Sequence, residues 1–175
     1  MDKVYEGFLK QQYEEGMALA ASSDLFKLIA ADGDPPQRYL AIFHCKGLVR
    51  RDGEIREASD FAVQIWFPDN YVREPVSPVV VTQWFDPPDV WHPNIRAPFI
   101  CIGPIAPGTS LKELIHRIFE VITYQKVTVV ESDALNKEAC PWARGNQDMF
   151  PIDRRPLKRR QLQLDVTLAE EEIRS

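Results

Sequence analysis

A cysteine and an asparagine seven positions apart, Cys101 and Asn94, are the residues best suited to chemistry in this sequence. A cysteine thiolate is a nucleophile, and an acyl group that it accepts passes through a tetrahedral oxyanion. A side-chain amide such as that of Asn94 can stabilise this oxyanion. Pro93 and Pro98 restrict the backbone nearby, so the turn can hold its geometry without a metal or a disulfide. The alternative is a structural cysteine buried at a strand end, the commoner role of a lone cysteine.

The remaining cysteines and histidines do not follow a metal-binding pattern. Cys45 and Cys140 have no paired ligand spacing, and His44, His92 and His116 are scattered along the chain. We therefore expect neither a zinc site nor a cofactor. No histidine has a motif context that marks it as a base for the cysteine, which leaves an unrelated cysteine hydrolase as a weak alternative.

Length and composition are typical of one globular domain. The chain has 175 residues, of which 45% are hydrophobic and 27% charged, and its net charge is -5. The negative charge gives no reason to expect nucleic-acid binding. We find neither a signal peptide nor an apolar run long enough for a bilayer, so we expect no membrane insertion. The free cysteines favour a reducing cytoplasm.

The first part of the chain has helical periodicity. From Val4 to about Ala21 the apolar residues recur every three or four positions, which predicts an amphipathic helix. Ser22, Ser23 and Asp24 could cap a second helical piece at 25–29, or the first helix could bend there. The predicted apolar stripe consists of Val4, Tyr5, Phe8, Leu9, Tyr13, Met17 and Ala20.

The middle of the chain is predicted to be an antiparallel meander. Apolar runs at 39–49, at 54–59 with 61–67, and at 79–81 are separated by turn sequences. The strongest turn signals are Arg51-Asp52-Gly53 and Pro68-Asp69-Asn70. Alternation of Phe61, Val63, Ile65 and Phe67 with less apolar residues predicts one buried strand face.

Two helices are predicted after the cysteine. Thr109 or Ser110 can cap the first, and the second is a short helix from Asp133 through Ala139. We interpret His116 as an ordinary histidine of the first helix. The buried stripe of that helix is predicted to consist of Leu111, Leu114, Ile115, Ile118, Phe119 and Ile122.

The end of the chain carries weaker signals. Leu162, Leu164 and Val166 alternate with polar residues over a short stretch. A basic cluster precedes them. We interpret it as a solvent-exposed charged face, which is the usual role of such clusters, and a docking patch is the alternative. The cluster consists of Arg154, Arg155, Lys158, Arg159 and Arg160.

Three stretches, in order, resemble the ubiquitin-conjugating enzyme family. His92-Pro-Asn-Ile95 followed by Ile100-Cys-Ile102 resembles its active-site motif. The segment 61–71 with Pro75 and Pro78 resembles its third strand and the turn that follows. The segment 133–139 with Trp142 resembles the region downstream of the active site. The resemblance covers residues 40–145.

This resemblance implies an α+β, UBC-like fold in residues 1–157, with 158–175 as a C-terminal extension. The implied order is an N-terminal helix, a four-stranded antiparallel meander, the active-site loop and C-terminal helices packed on the sheet. The cysteine of such enzymes receives the C-terminal glycine of a ubiquitin-like protein from an activating enzyme. An amine of a target protein, usually of lysine, then attacks the thioester.

The resemblance also implies roles for individual residues. Cys101 would be the acceptor nucleophile, and Asn94 would order the loop and assist the oxyanion. His92 and Pro93 would be structural. Asp133, or Ser132 beside it, falls where the family often places an acidic or phosphorylatable residue flanking the cysteine. Asp133 would orient an incoming ammonium group and favour its deprotonation, although it could also cap the following helix.

The sequence departs from typical eukaryotic members at two loops. Arg73 replaces the apolar residue that members offer to ligases, and Ile105-Ala-Pro-Gly108 replaces a Trp-Ser-Pro loop. Recognition by a RING-type ligase is therefore doubtful. The chain looks more like bacterial relatives whose gene neighbourhoods encode an activating enzyme and a JAB-type peptidase, several of them linked to antiphage defence.

A catalytically silent protein of the same fold is the main alternative. Such a protein would bind a ubiquitin-like protein or scaffold a complex. Silent variants usually lose the cysteine, whereas Cys101 is retained here with Asn94.

Overall fold

The protein is an α+β protein built on an antiparallel sheet, and its computed structural model describes residues 2–31 and 33–159. Within these residues the helices are α1 (Lys3–Ala21), α2 (Pro78–Val81), α3 (Leu111–Ile122) and α4 (Ala139–Gly145), and a 3₁₀ turn spans Gln147–Met149. The strands are β1 (Phe26–Ala30), β2 (Arg38–Arg51), β3 (Glu54–Trp66), β4 (Thr82–Asp86), β5 (Ile95–Arg96) and β6 (Phe99–Ile100).

The described sheet has six strands in the order β1-β2-β3-β4-β6-β5, so the expectation of four was wrong. One additional strand, β1, occupies the stretch for which a second helical piece was considered. Phe26 and Leu28 are buried there while Lys27 and Ile29 are exposed. This period of two belongs to a strand, and antiparallel pairing of β1 with β2 decides the conformation of so short a segment.

The central strands agree with the predicted meander except at its last member. β2 and β3 form a long hairpin around the predicted turn, with a register shift between His44 and Gly47. The predicted inward face of β3 is confirmed, because Phe61, Val63 and Ile65 are buried. The apolar run 79–81 lies in the short helix α2, and β4 begins only at Thr82.

The first helix has the predicted extent but a different buried face. Its buried residues are Tyr5, Leu9, Gln12, Gly16 and Leu19, whereas Val4 is 65% exposed. Gly16 allows the side chains of Leu28 and Leu111 to approach closely. The Gln12 side-chain oxygen accepts a hydrogen bond of 2.7 Å from the Leu111 backbone N–H. Packing against α3 and β1 therefore selects the buried face.

The helix after the cysteine is confirmed in detail. Ser110 caps α3 by accepting a hydrogen bond from the Glu113 N–H, and every residue of the predicted stripe is buried. The short helix predicted at 133–139 is wrong, because α4 begins only at Ala139. The backbone before α4 is hydrogen-bonded to another segment, since the Asn136 N–H donates to the Pro93 carbonyl oxygen at 3.0 Å.

The buried apolar side chains of the described residues form two clusters. The main core contains the inward faces of the central strands, the stripe of α3, and Ile95, Ile100 and Ile102. A second cluster combines Leu48, Trp91, Tyr124 and Ala139. The segment 92–101 contributes Ile95 and Ile100 to the main core, and Trp91 of the second cluster directly precedes it. Among the described residues, no helix combines the length and apolarity needed to cross a bilayer.

Two ion pairs involve the basic cluster. Arg155 contacts the buried Asp153 at 2.5 Å, and Arg159 pairs with Asp24 while its N–H donates to the Ser22 carbonyl oxygen. These contacts hold the described end of the chain beside the start of β1. Arg160 and the alternating residues Leu162, Leu164 and Val166 lie outside the described residues.

Candidate active site

The cysteine segment, residues 92–101, is a narrow antiparallel turn in which Cys101 is partly exposed. Ile95 pairs with Ile100 across β5 and β6, and the Cys101 N–H donates to the Asn94 carbonyl oxygen at 2.8 Å. Ile100 and Ile102 are completely buried, and the cysteine between them is partly exposed. Alternation along an extended backbone therefore directs Cys101 away from the core.

Asn94 links this segment to a second one. Its Nδ2 donates to the Cys101 carbonyl oxygen at 3.4 Å, a long hydrogen bond, and its Oδ1 accepts from the Thr128 N–H at 2.8 Å. The side chain is only 7% exposed. Because a buried amide needs such partners, these contacts fix the position of Asn94 beside the cysteine.

His92 is buried and accepts a hydrogen bond from the backbone. Its Nδ1 accepts from the Asn94 N–H at 2.9 Å, and its ring lies 4.2 Å from the Tyr124 ring. Burial lowers the pKa of His92 from its ordinary value of 6.5 to about 3. The ring is therefore neutral at physiological pH, and its proton lies on Nε2 because Nδ1 accepts a hydrogen bond. Its Nδ1 has no lone pair left to serve as a base for Cys101.

The second segment, Thr128–Asn136, is named here the aspartate segment. Both of its ends are hydrogen-bonded to the cysteine segment, Thr128 to Asn94 and Asn136 to the Pro93 carbonyl oxygen. Arg144 of α4 supports the part between them, because it donates to the Val129 carbonyl oxygen at 2.7 Å and contacts Glu131 at 2.5 Å. Backbone anchoring at Thr128 and Asn136 is invisible in a side-chain pattern.

Asp133 lies at the exposed part of the aspartate segment. Its N–H donates to the Val130 carbonyl oxygen at 3.1 Å, and its carboxylate accepts from the Ser132 hydroxyl at 3.0 Å. Among the described residues it has no hydrogen bond to Asn94 or Cys101. Asp133 does not cap α4, since the N-cap position of that helix is Glu138.

Two basic side chains lie beside the loop just after Cys101, and sequence reasoning missed both. The Lys126 ammonium nitrogen lies 3.3 Å from the position that a Cβ on Gly103 would occupy, and Gly103 has φ +82°. Arg117 donates to the Pro104 carbonyl oxygen at 2.5 Å. A side chain at Gly103 would be strained and would crowd Lys126. The loop after the cysteine is thus held against the end of α3.

The other two cysteines occupy different environments from Cys101. Cys45 is 1% exposed and lies in the main core, where burial raises the pKa of its thiol. Cys140 is completely buried in α4, and burial also raises the pKa of its thiol. Since reaction requires a thiolate that its substrate can reach, Cys101 is the best placed of the three for nucleophilic chemistry.

The described residues contain no group of three or more His, Cys, Asp and Glu side chains placed to hold a metal ion. Neither protein-family models nor curated proteins match the chain. The site therefore has to be interpreted from its own geometry.

Proposed function

We propose that the protein is a ubiquitin-conjugating-type enzyme with a UBC-like fold, which carries a ubiquitin-like protein as a thioester on Cys101. The observation that supports this best is the partly exposed Cys101 fixed to a buried Asn94, while Cys45 and Cys140 are enclosed. In this proposal residues 1–157 form the catalytic domain.

Two acyl transfers make up the proposed reaction. The Cys101 thiolate attacks the C-terminal carbonyl of the ubiquitin-like protein, and the activating enzyme's sulfur leaves as a thiolate when its carbon–sulfur bond breaks. An amine of the target protein, lysine in our proposal, then attacks the same carbonyl. A carbon–nitrogen bond forms, the bond to Cys101 breaks, and the amine loses a proton.

Asn94 is proposed to have both a positioning and a catalytic role. Its Oδ1 and one Nδ2 hydrogen have partners in Thr128 and Cys101. The second Nδ2 hydrogen has no acceptor among the described residues and can donate to the oxyanion. His92 and Pro93 have structural roles, because the His92 ring accepts a hydrogen bond from the Asn94 N–H and the Pro93 carbonyl oxygen accepts one from the Asn136 N–H.

Asp133 is proposed to orient the incoming ammonium and accept its proton. The aspartate segment is anchored at both ends to the cysteine segment, and the Asp133 side chain between these anchors is exposed. In the free protein that carboxylate contacts only Ser132 among the described residues. Catalytic contacts often form only when the substrate is bound, so this geometry is compatible with the role.

The proposed partners are the activating enzyme, the ubiquitin-like protein and a target protein. Recognition by a RING-type ligase is not proposed, because Arg73 is charged and pairs with Asp2 in the loop that would offer an apolar residue. From the resemblance to bacterial relatives we propose a bacterial, cytoplasmic pathway with antiphage defence as its context.

A thioester assay with three cysteine variants tests the proposal. The protein is incubated with ATP, an activating enzyme and a ubiquitin-like protein encoded beside it, then run on a non-reducing gel. We expect a band that thiol reductant removes and that Cys101→Ala lacks. Cys45→Ala and Cys140→Ala should retain the band, and Cys101→Ser should form a more stable oxyester.

The competing proposal is a catalytically silent protein of the same fold, and the same assay tests it. No thioester band, with both partners shown to react with each other, would refute the conjugating role. Binding of the ubiquitin-like protein without a band would then favour a protein that only recruits or scaffolds.

A further inference from the structure

One edge of the sheet is open along β1. Among the described residues β1 pairs with β2 and with no other strand. The backbone groups of Leu25 and Ala31 are hydrogen-bonded to β2. Because alternate residues of an antiparallel strand direct their backbone groups to opposite sides, Phe26, Leu28 and Ala30 direct theirs to the open edge. Such an edge is a template for one more strand.

A groove runs beside this edge, between β1 and one flank of α1. Tyr13 of that flank lines a cavity of about 520 Å³ together with Ala30 and Pro35. Met17 lies one helical turn further along the same flank. Both side chains are exposed, Tyr13 by 40% and Met17 by 36%. A strand added to β1 with apolar side chains on its inward face would cover them.

The described chain ends at the start of the open edge. The Arg159 N–H donates to the Ser22 carbonyl oxygen at 2.9 Å, and the Arg159 guanidinium pairs with Asp24. In a parallel strand pair, a bonded residue donates to the residue before its neighbour and accepts from the residue after it. Arg159 therefore has the position of a parallel neighbour of residue 23.

Continuing this register along β1 gives a defined alignment. Residues 161, 163 and 165 would bond the free backbone groups of β1, and residues 162, 164 and 166 would lie beside residues 26, 28 and 30. The side chains of Phe26 and Leu28 are buried, so their new neighbours would also face inward.

The sequence that follows Arg159 fits this alignment, although it lies outside the described residues. The positions that would face inward are apolar, and those that would face solvent are polar. Residues 160–168 extend over about 30 Å, more than β1 requires. The apolar positions are Leu162, Leu164, Val166 and Leu168, and the polar ones are Gln161, Gln163, Asp165 and Thr167.

We propose that residues 160–168 bind the open edge of β1 as an additional parallel strand and cover the flank of α1 with their apolar side chains. The occupant is the chain's own segment, because Arg159 holds its start beside the edge and gives it a high effective concentration there. The proposal is independent of the thioester chemistry and assigns a role to the C-terminal extension.

An engineered disulfide tests the alignment in the full chain. Lys27 and Gln163 would be neighbours on the solvent side, with Cα atoms about 5 Å apart, which a disulfide can bridge. Lys27→Cys with Gln163→Cys is prepared with Cys101→Ala, so that the remaining native thiols, Cys45 and Cys140, are buried. Under mild oxidation we expect a disulfide within one chain, identified by mass spectrometry of the non-reduced monomer.

The matched control moves one cysteine by two residues. In Lys27→Cys with Gln161→Cys the Cα atoms would be roughly 8 Å apart, beyond the range of a disulfide, although residue 161 is closer to the anchor at Arg159. We expect this pair to remain reduced. Equal oxidation of both pairs, or of neither, would overturn the inference. A disulfide found only in a covalent dimer would assign the edge to a second copy of the chain and overturn it as well.

Hydrogen exchange of the full chain gives a reading without cysteines. We expect the amides of Phe26, Leu28 and Ala30 to be protected in the wild-type protein. Leu164→Asp should accelerate their exchange about tenfold or more, as loss of one buried leucine allows. Gln163→Asp, on the solvent side, should leave it unchanged. Exchange that is unprotected in the wild-type protein, or unaffected by Leu164→Asp, would overturn the inference.

Discussion

The cysteine segment and the aspartate segment are neighbours, yet they are held in different ways. The cysteine segment is fixed by side chains inside the protein, with His92 and Asn94 buried and Ile95, Ile100 and Ile102 in the main core. The aspartate segment is fixed by backbone bonds at its ends and by the exposed Arg144. In the proposed reaction this difference corresponds to a nucleophile held from inside the protein beside an acidic residue on an exposed segment.

Removing the Asn94 amide should have the largest effect on stability, because Asn94 joins the two segments. Asn94→Ala leaves the Thr128 N–H and the Cys101 carbonyl oxygen without partners, at a cost of about 1–3 kcal/mol. Discharge of the thioester should slow more than loading. Urea unfolding and single-turnover assays measure the two effects, with Asn70→Ala as a surface control. Equal loss of loading and discharge would make Asn94 purely structural.

Acid should destabilise the cysteine segment through His92. Its pKa is about 3 in the fold and 6.5 ordinarily, so between these values the unfolded chain binds a proton that the fold does not. Stability therefore falls as pH drops below 6.5, by about 1.4 kcal/mol per pH unit. Urea unfolding between pH 7 and 5 measures this loss.

His92→Asn is the matched control for that pH dependence. Asparagine keeps an acceptor for the Asn94 N–H but does not titrate, so this variant should be less stable at pH 7 and nearly independent of pH down to 5. The same slope in both proteins would assign the acid sensitivity to other groups.

Loosening the aspartate segment should leave the cysteine segment intact. Arg144→Met removes the contacts with Val129 and Glu131. We expect faster hydrogen exchange at the Asp133 amide and unchanged exchange at the Asn94 and Cys101 amides. Similar acceleration in both segments would show that they open together and would remove the contrast between them.

Neutralising Asp133 should have the smallest effect on folding. Its carboxylate is exposed and contacts only Ser132 among the described residues, so Asp133→Asn should change the unfolding free energy little. Transfer to lysine should slow, about tenfold or more, while thioester formation stays normal. Single-turnover discharge across a pH series measures this effect. Ser132→Ala is the control, and an unchanged transfer rate would exclude Asp133 from the proposed chemistry.

Sequence reasoning was most accurate where periodicity and burial agree. Apolar residues recur every three or four positions in α3 and every second position in β3, and both sets are buried as predicted. It was wrong at 25–29, where pairing with β2 makes a short apolar stretch a strand, and at 79–81, where the predicted strand is the short helix α2 that begins at Pro78. In α1, Gln12 and Gly16 are buried through contacts with α3 that no apolar pattern predicts.

Local patterns in the sequence were enough to predict the α+β class, helix α3, the central hairpin, and Cys101 with Asn94 as candidate site residues. The packed fold was needed to show that Cys101 is partly exposed while Cys45 and Cys140 are buried, and that the Asn94 side chain accepts a hydrogen bond from the Thr128 N–H. Periodicity in the sequence indicates which face of a single helix or strand is buried. Exposure of one thiol and a bond between residues 34 positions apart depend on how distant elements pack.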